Sequence, residues 1–435
     1  MIIITYLCVS IMRVLIVNTS DCTGGAAIAA NRLTEALNNN GVKAKMLVRD
    51  KTSDCLTVAP LPHSPFLRWH FLWERFVIWV HLHFSKKNLF AVDIANAGSD
   101  ITRLPEFLEA DVIHLHWVNQ GMLSLSGIER ILRSGKPVVW TMHDIWPATG
   151  ICHLTLSCHH FTSRCHNCHY LPNKGSANDL SSKIWERKRK LFEFYPISFV
   201  ACSRWLENEA KHSALLNEQR LTNIPNPIDT RVFCPGSKQE ARRQENLPED
   251  KRLILFVCQR ANNPYKGMDY LTDACRQLVE SFPEMRQNTG VMILGSHAEE
   301  VAAQLPFESY ALGYVTDEQR IVRIYQATDL FILPSLSENL PNTIMEAMAC
   351  GVPCVGFRVG GIPEEIDHQK NGYVAEYRNA ADLAKGIHWV LDEADAKTLS
   401  QQCVNKVARC YSQSGVALRY IEVYQHALAQ KHFNL

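Results

Sequence analysis

The chain has no surplus charge of either sign. Its 435 residues carry 45 lysines and arginines against 44 aspartates and glutamates, a formal net charge of +1. So even a balance sets up no field that would gather a polyanion, and a nucleic-acid partner is not expected. No apolar run is long enough to cross a bilayer. The opening IIITYLCVSIM, residues 2–12, is too short and lacks a basic flank, which argues against both a spanning helix and a cleaved signal. Met12 opens the more natural start, MRVLIVNTS, so residues 1–11 read as an upstream start-codon choice or a loose extension. No Asp-x-Asp pair occurs, so no catalytic metal is expected. Cysteine is not scarce, but the count of 15 is odd, and Cys202, Cys258, Cys275, Cys350 and Cys354 fall in apolar runs. That pattern fits core thiols in a reducing compartment better than a disulfide framework.

What is present is ordinary globular composition, 46% hydrophobic and 20% charged, at a length that favours two domains. Short Val/Ile/Leu runs alternate with helical patterns. Strands are expected at Val14–Asn18, Ala44–Val48, Val112–His116, Pro137–Thr141 and Ser198–Ala201. A second series follows at Leu253–Val257, Val291–Leu294, Leu330–Leu333 and Cys354–Phe357. Continuous apolar runs of this kind suit parallel strands covered on both faces, joined as βαβ units. A proline-rich and then charged stretch near 225–250 separates the two series. The expected domains are 1–225, 226–410 and a C-terminal helix, 411–435, returning to the first domain.

The most informative segment is ENLPNTIMEAMACGVPCVGFRVGGIPEE, Glu338–Glu365. It follows the strand LFILPS. Pro341 suits the first helical position, Gly351 suits a left-handed helix end, and Gly360–Gly361 make a second turn. A helix N-terminus at the carboxyl end of a parallel strand offers free N–H groups and a positive dipole end to phosphate. Glu338, before the helix, would reach a group beyond the phosphates, and Glu346, inside it, would accept from a ribose diol.

Glu338, seven intervening residues and Glu346, within EAMACGVPCVGFRVGGIPE, resemble the paired-glutamate motif of retaining glycosyltransferases of family four. The resemblance implies the GT-B fold: an α/β chain of two Rossmann-like domains whose parallel sheets face a central cleft. It implies a nucleotide-sugar donor, UDP- or GDP-linked, held by Glu338, Asn339, Leu340 and Glu346. It also places an ammonium, Lys266 of PYKGMDYL, on the diphosphate. The family's usual arginine has no clean counterpart; Arg260 is the nearest candidate, a residue out of register.

In the first half, Gly24 and Gly25 of DCTGGAAIAANRL end a strand and open a helix, where backbone can approach an anion. The resemblance puts this loop on the donor phosphates. His143 follows VVWTM directly and resembles the histidine of the family's TxHD motif, which contacts the transferred sugar; Asp144 would orient that ring or hold the loop. His116, ending IHLHW, reads either as a site residue or as a packed histidine. Catalytic roles are thus expected for His143, Glu338 and Lys266.

Two further features stand outside the motif. Cys152, Cys158, Cys165 and Cys168 crowd one loop, 150–172, with five histidines, and the Cys-x-x-Cys end suits a structural zinc. A similar cluster follows the TxHDxWxxTGxC segment in some bacterial polysaccharide-assembly transferases, which the chain resembles. Residues 66–84, FLRWHFLWERFVIWVHLHF, hold seven aromatics interrupted by charges, as in a segment lying in a membrane interface. The expected protein is a cytoplasmic transferase peripheral to the inner face of the membrane, adding a sugar to a lipid-linked or oligosaccharide acceptor. An inactive scaffold subunit and a sugar-nucleotide epimerase of the same fold are the alternatives.

Overall fold

The computed structural model describes residues 11–433, so the expectation for residues 1–10 lies outside it. The chain divides into two compact units. One holds the residues up to Cys202, Glu207–Ile224 and the chain from Val416 onward; the other holds Ser203–Leu206 and Pro225–Gly415.

The first unit is built on seven parallel strands: β1 (Arg13–Ser20), β2 (Lys43–Asp50), β3 (Val58–Pro60), β4 (Val112–Leu115), β5 (Val138–Met142), β6 (Ser198–Ala201) and β7 (Arg220–Asn223), in the order 3-2-1-4-5-6-7. Ile16 of β1 lies between Met46 of β2 and His114 of β4. On one face the strand residues Val14, Ile16, Val48, Val112, Val139 and Val200 pack against Ala30, Leu33 and Leu37 of helix Gly25–Asn39. Val416, Tyr420 and Tyr424 of the last helix, Gln413–Phe433, complete that layer. The C-terminal helix therefore belongs to this unit's core.

The second unit has six parallel strands: β8 (Arg252–Arg260), β9 (Thr289–Ser296), β10 (Glu308–Gly313), β11 (Leu330–Leu333), β12 (Cys354–Phe357) and β13 (Gly372–Ala375), in the order 10-9-8-11-12-13. Ile254, Phe256, Ile293, Ile332, Val355 and Phe357 face Leu271, Cys275 and Leu278 of helix Met268–Ser281 and Leu383 and Ile387 of helix Ala380–His388. In both units helices connect successive strands, β2 to β3 excepted, and the strand order reverses beside the first strand. The loops at the carboxyl ends of the strands there are the positions that bind ligands in doubly wound sheets.

Candidate active site

In the second unit, three turns at the carboxyl edge converge. Gly267 sits in the left-handed region (φ 73°), and a Cβ there would overlap the Pro334 carbonyl oxygen. Only glycine lets the turn Pro264–Lys266 lie this close to the end of β11, and Leu336 N–H donates to Tyr265 O across the junction at 2.8 Å. The result is an ion pair between Lys266 Nζ and Glu338 Oε1, both partly buried. Burial works against the ammonium, but the Glu338 charge and hydrogen bond outweigh it and raise its pKa, so Lys266 stays cationic. Gly360 (φ 56°) and Gly361 press on the same loop: a Cβ on either would overlap the carbonyl oxygen of Glu338 or Asn339. Gly361 N–H donates to Asn339 O at 2.7 Å, and Ser203 Oγ donates to Asn339 Oδ1 at 2.5 Å.

Pro341 stands just before helix Asn342–Ala349 and not at its first position, and no side chain caps that helix. Gly351 follows the C-terminus with φ 79°, as a left-handed end requires. Glu346 is buried one turn in, where Tyr325 Oη donates to its Oε2 at 3.0 Å. Tyr325 was not legible as a site residue, since it lies in an ordinary amphipathic helix, Glu318–Ala327. Leu340 is buried. Arg260 ends β8 exposed, and among the described residues no hydrogen bond or ion pair joins its side chain to Lys266 or Glu338. An open hollow of about 290 Å³ lies at the same edge, lined by Gly295–Glu300 and Ala311–Gly313. Nothing in the sequence pattern marked it.

In the first unit, Gly24 (φ 89°) precedes helix Gly25–Asn39, again with no side-chain cap, and both glycines are exposed. Asp21 anchors the loop by accepting Thr52 N–H and Ser53 N–H at 3.0 and 2.8 Å. Beyond β4 and β5, His116 Nδ1 is 2.9 Å from His143 Nε2, and His143 Nδ1 is 3.6 Å from Cys202 Sγ. Both ring nitrogens of His143 are thus engaged within the unit. Burial pushes His143 down to about 4 despite the pull of Asp144, and His116 falls well below the ordinary range. Asp144 does not orient His143. Its carboxylate takes Trp117 Nε1–H (3.0 Å), Trp146 N–H (2.8 Å) and His153 Nδ1 (2.8 Å). Burial raises its pKa, but His153 and these donors outweigh that and lower it. His153 Nε2 reaches Asp93 Oδ2 at 2.5 Å, and Asp93 pairs with Arg75. Asp144 therefore holds the loop, and His116 is the residue that fixes His143.

Among the described residues, no group of three or more His, Cys, Asp or Glu side chains is arranged to hold a metal ion. The four loop cysteines are free thiols, with Cys152, Cys165 and Cys168 buried. The aromatic segment forms helix Phe66–His81. Of its interrupting charges, Glu74 and Arg75 turn inward and are buried, while Arg68 is exposed. Phe66, Trp69, Trp73 and Phe76 point out, with Trp69 and Trp73 64% and 53% exposed. Trp79 is tied back, its indole N–H donating to Phe84 O at 2.7 Å. Among the described residues, no helix is long and apolar enough to cross a membrane.

Solved structures share this architecture across nearly the whole chain. Sucrose-phosphate synthase from Thermosynechococcus elongatus superposes with TM-score 0.66 at 17% identity, covering 96% of this chain and all of that one. HepE of Anabaena, solved with UDP and glucose, superposes with TM-score 0.63 at 17% identity, covering 95% of this chain and all of that one. The fold is GT-B, two Rossmann-like domains. The sequence identifies it with glycosyltransferases: residues 23–232 match the model of Glycosyltransferase Family 4, and residues 237–408 match that of Glycosyl transferases group 1. The D-inositol 3-phosphate glycosyltransferase of Thermobispora bispora is 28% identical over 226 residues, 49% of this chain and 52% of the relative. The chain spans about half the length of the curated relatives it matches.

Proposed function

We propose that the protein transfers a sugar from a nucleoside-diphosphate sugar, UDP- or GDP-linked, to a lipid-linked or oligosaccharide acceptor, with retention of configuration, in polysaccharide synthesis. The observation that carries this reading is the convergence of Lys266, Glu338 and the Gly360–Gly361 turn beside the uncapped helix Asn342–Ala349. When the glycosidic bond breaks, negative charge accumulates on the leaving diphosphate. A fixed ammonium and helix amides stabilise it without reorganising. Glu346, steadied by Tyr325, accepts from the ribose diol, and the nearby hollow has room for the base. Glu338 both tethers Lys266 and reaches toward the sugar. Structural neighbours solved with UDP or UDP-glucose support the donor class.

The outward face of helix Phe66–His81 supports a place at the inner surface of the cytoplasmic membrane. Its aromatics are flanked by exposed Arg68, Lys86 and Lys87, while Glu74 and its neighbour Asp93 are buried. Apolar area ringed by positive charge suits an anionic lipid surface.

The deciding experiment is a thermal-shift screen of nucleotide sugars. It is followed by incubation of the stabilising donor with lipid-linked oligosaccharide and assignment of the product's anomeric configuration by NMR. A ligand at one hundred times its Kd adds about 2.7 kcal/mol to stability. A glycoside of the donor's own configuration is expected. An epimerised donor with no glycoside would replace transfer with epimerisation, and no response to any nucleotide sugar would leave a scaffold.

A further inference from the structure

We infer that an open basic groove in the first unit, along the outer face of helix Leu180–Phe194, binds the diphosphate of a lipid-linked sugar acceptor. The choice of ligand rests on the transfer reading above; the groove itself does not. Three observations carry it.

The first is a set of cations without internal partners. Lys183, Arg187 and Lys190 are exposed on the helix, and among the described residues their side chains form no hydrogen bond or ion pair. Arg164 joins them from the loop 150–172, with one N–H donated to Ser182 Oγ at 2.9 Å. The acidic groups nearby are engaged elsewhere. Glu186 and Glu193 both pair with Arg189, at 2.8 and 2.6 Å, and Asp179 accepts Ser182 N–H (3.1 Å) and Cys168 N–H (2.9 Å). The Arg189 hydrogen bond holds Glu186 below the usual carboxylate range, and the charges of Arg164 and Lys190 add to that pull. Two glutamates that share one arginine leave a surplus of positive charge beside them.

The second is shape. The four cations line an open groove of about 430 Å³, with Asn178 and Ser182 as neutral donors between them. A recess walled by one sign of charge concentrates the field inside it, and guanidinium groups such as those of Arg164 and Arg187 match paired phosphate oxygens. Lys183, Arg187 and Lys190 recur at intervals of four and three, so they share one helix face. At about 1.5 Å per residue the strip from Lys183 to Lys190 is about 10 Å long, more than one phosphate covers and enough for two in series.

The third is direction. The opposite face of the helix buries Ile184, Trp185, Lys188 and Leu191. Lys188 Nζ ties it to Trp146 O (2.6 Å) and Thr149 O (3.0 Å), in the loop that follows His143. The helix joins β5 to β6, which are parallel, so its N-terminus lies at the carboxyl edge with His143 and its C-terminus toward the amino edge. Phe194, four residues beyond Lys190 and 81% exposed, continues the same face at the far end. A ligand with its diphosphate over the cations has its sugar toward the His143 edge and its lipid toward Phe194. A flat bilayer surface calls for neither a recess nor this polarity.

The test uses the full chain without donor, with geranyl diphosphate, geranyl monophosphate and anionic vesicles as probes. Calorimetric titration should show the diphosphate bound more tightly than the monophosphate. Lys183→Gln, Arg187→Gln and Lys190→Gln together replace only exposed side chains. They should weaken diphosphate binding by roughly 10-fold or more, the scale of lost charge-assisted contacts, with the difference shrinking as salt rises. Equal affinity in this variant and the wild type would overturn the groove. So would a loss confined to Lys266→Met, which would put the diphosphate on the donor side. If the triple variant releases vesicles in flotation yet holds geranyl diphosphate as before, the groove serves the membrane and the proposal fails. Transfer is read separately: with a lipid diphosphate sugar as acceptor, the triple variant should raise the acceptor KM while kcat and donor affinity hold. A wild-type chain that binds the diphosphate through these residues but forms no glycoside overturns the transfer reading and leaves the groove in place.

Discussion

Replacing Gly360 by alanine separates the steric demand of a turn from its function. Two costs arise. Gly360 has φ 56°, and an L-residue held in the left-handed region loses about 1–2 kcal/mol. In addition, the new Cβ would overlap the Glu338 carbonyl oxygen and stand 2.8 Å from its carbonyl carbon, so backbone must yield. Overpacking of this kind typically costs about 1–3 kcal/mol. The sum, about 2–5 kcal/mol, lowers the melting point of a domain this size by roughly 4–20 °C at about 2–4 °C per kcal/mol. Gly313→Ala in the same unit is the control for strain alone: φ is 70°, and nothing lies within 4 Å of its Cβ. Because the atom that must yield belongs to Glu338, the functional loss should be larger than the stability loss implies. A displacement on the order of 1 Å in a positioned group lowers turnover roughly 100-fold. Calorimetry of both variants, with donor titration and turnover of Gly360→Ala at a temperature where it is fully folded, provides the comparison. If Gly360→Ala melts with Gly313→Ala and turns over like the wild type, the glycine turn does not position Glu338.

Lys266→Met should weaken donor binding by roughly 10–100-fold, the worth of one charge-assisted contact at about 1.5–3 kcal/mol, with little change in melting point; isothermal titration against UDP or GDP checks it. Acid should destabilise the first domain early. Burial lowers His143 to about 4 and His114 to about 3, and lowers His116 as well. These rings stay neutral when folded but protonate in the unfolded chain below about 6.5. Unfolding therefore takes up protons, and the melting point falls as pH drops from 6.5 toward 5, above the range of ordinary carboxylates; a level profile there would contradict the histidine packing. Trp69→Ser, Trp73→Ser and Phe76→Ser together should release the protein from anionic vesicles in a flotation assay while leaving its melting point within a few degrees. A collapse in stability would instead mean that these rings pack in the protein's interior.

The strands visible in the sequence are the central ones. Nine were expected, and all nine occur within a few residues of their expected bounds. The four that were not expected, β3, β7, β10 and β13, are the two edges of each sheet. An edge strand is paired on one side only. β7 (RLTN) and β10 (ESYALG) are largely exposed or half-buried and so lack the continuous apolar run by which a doubly covered strand is recognised. The turns around Lys266 and Glu338 were legible because glycine, proline and carboxylate fall at spacings that a strand–turn–helix demands. Tyr325 was not, since its hydroxyl finds Glu346 only through packing between two helices distant in sequence. Likewise, the inward turn of Glu74 and Arg75 was hidden by the dense aromatics around them.

The assignment of Asp144 shows how strand geometry overrides adjacency in sequence. Successive side chains point to opposite faces of a strand, and the alternation carries into the first residues beyond it. β4 and β5 are parallel neighbours, paired at Leu115 and Trp140, so the residues leaving them sort into two layers. One contains His116, His143 and Cys202, joined through the His143 ring. The other contains Trp117, Asp144, His153, Asp93 and Arg75, joined by hydrogen bonds and ion pairs. His143 and Asp144 are adjacent in sequence but belong to different layers, so the carboxylate cannot orient the imidazole beside it. The second layer ends at the inner face of the aromatic helix, where Glu74 Oε1 accepts the Ile94 and Ala95 amides at 3.0 and 2.6 Å beside Arg75. A glutamate and an arginine in the middle of an otherwise apolar helix are thus the near end of a polar chain that holds the loop behind His143. That fixes which face of the helix must point inward and leaves Trp69 and Trp73 no position except outward.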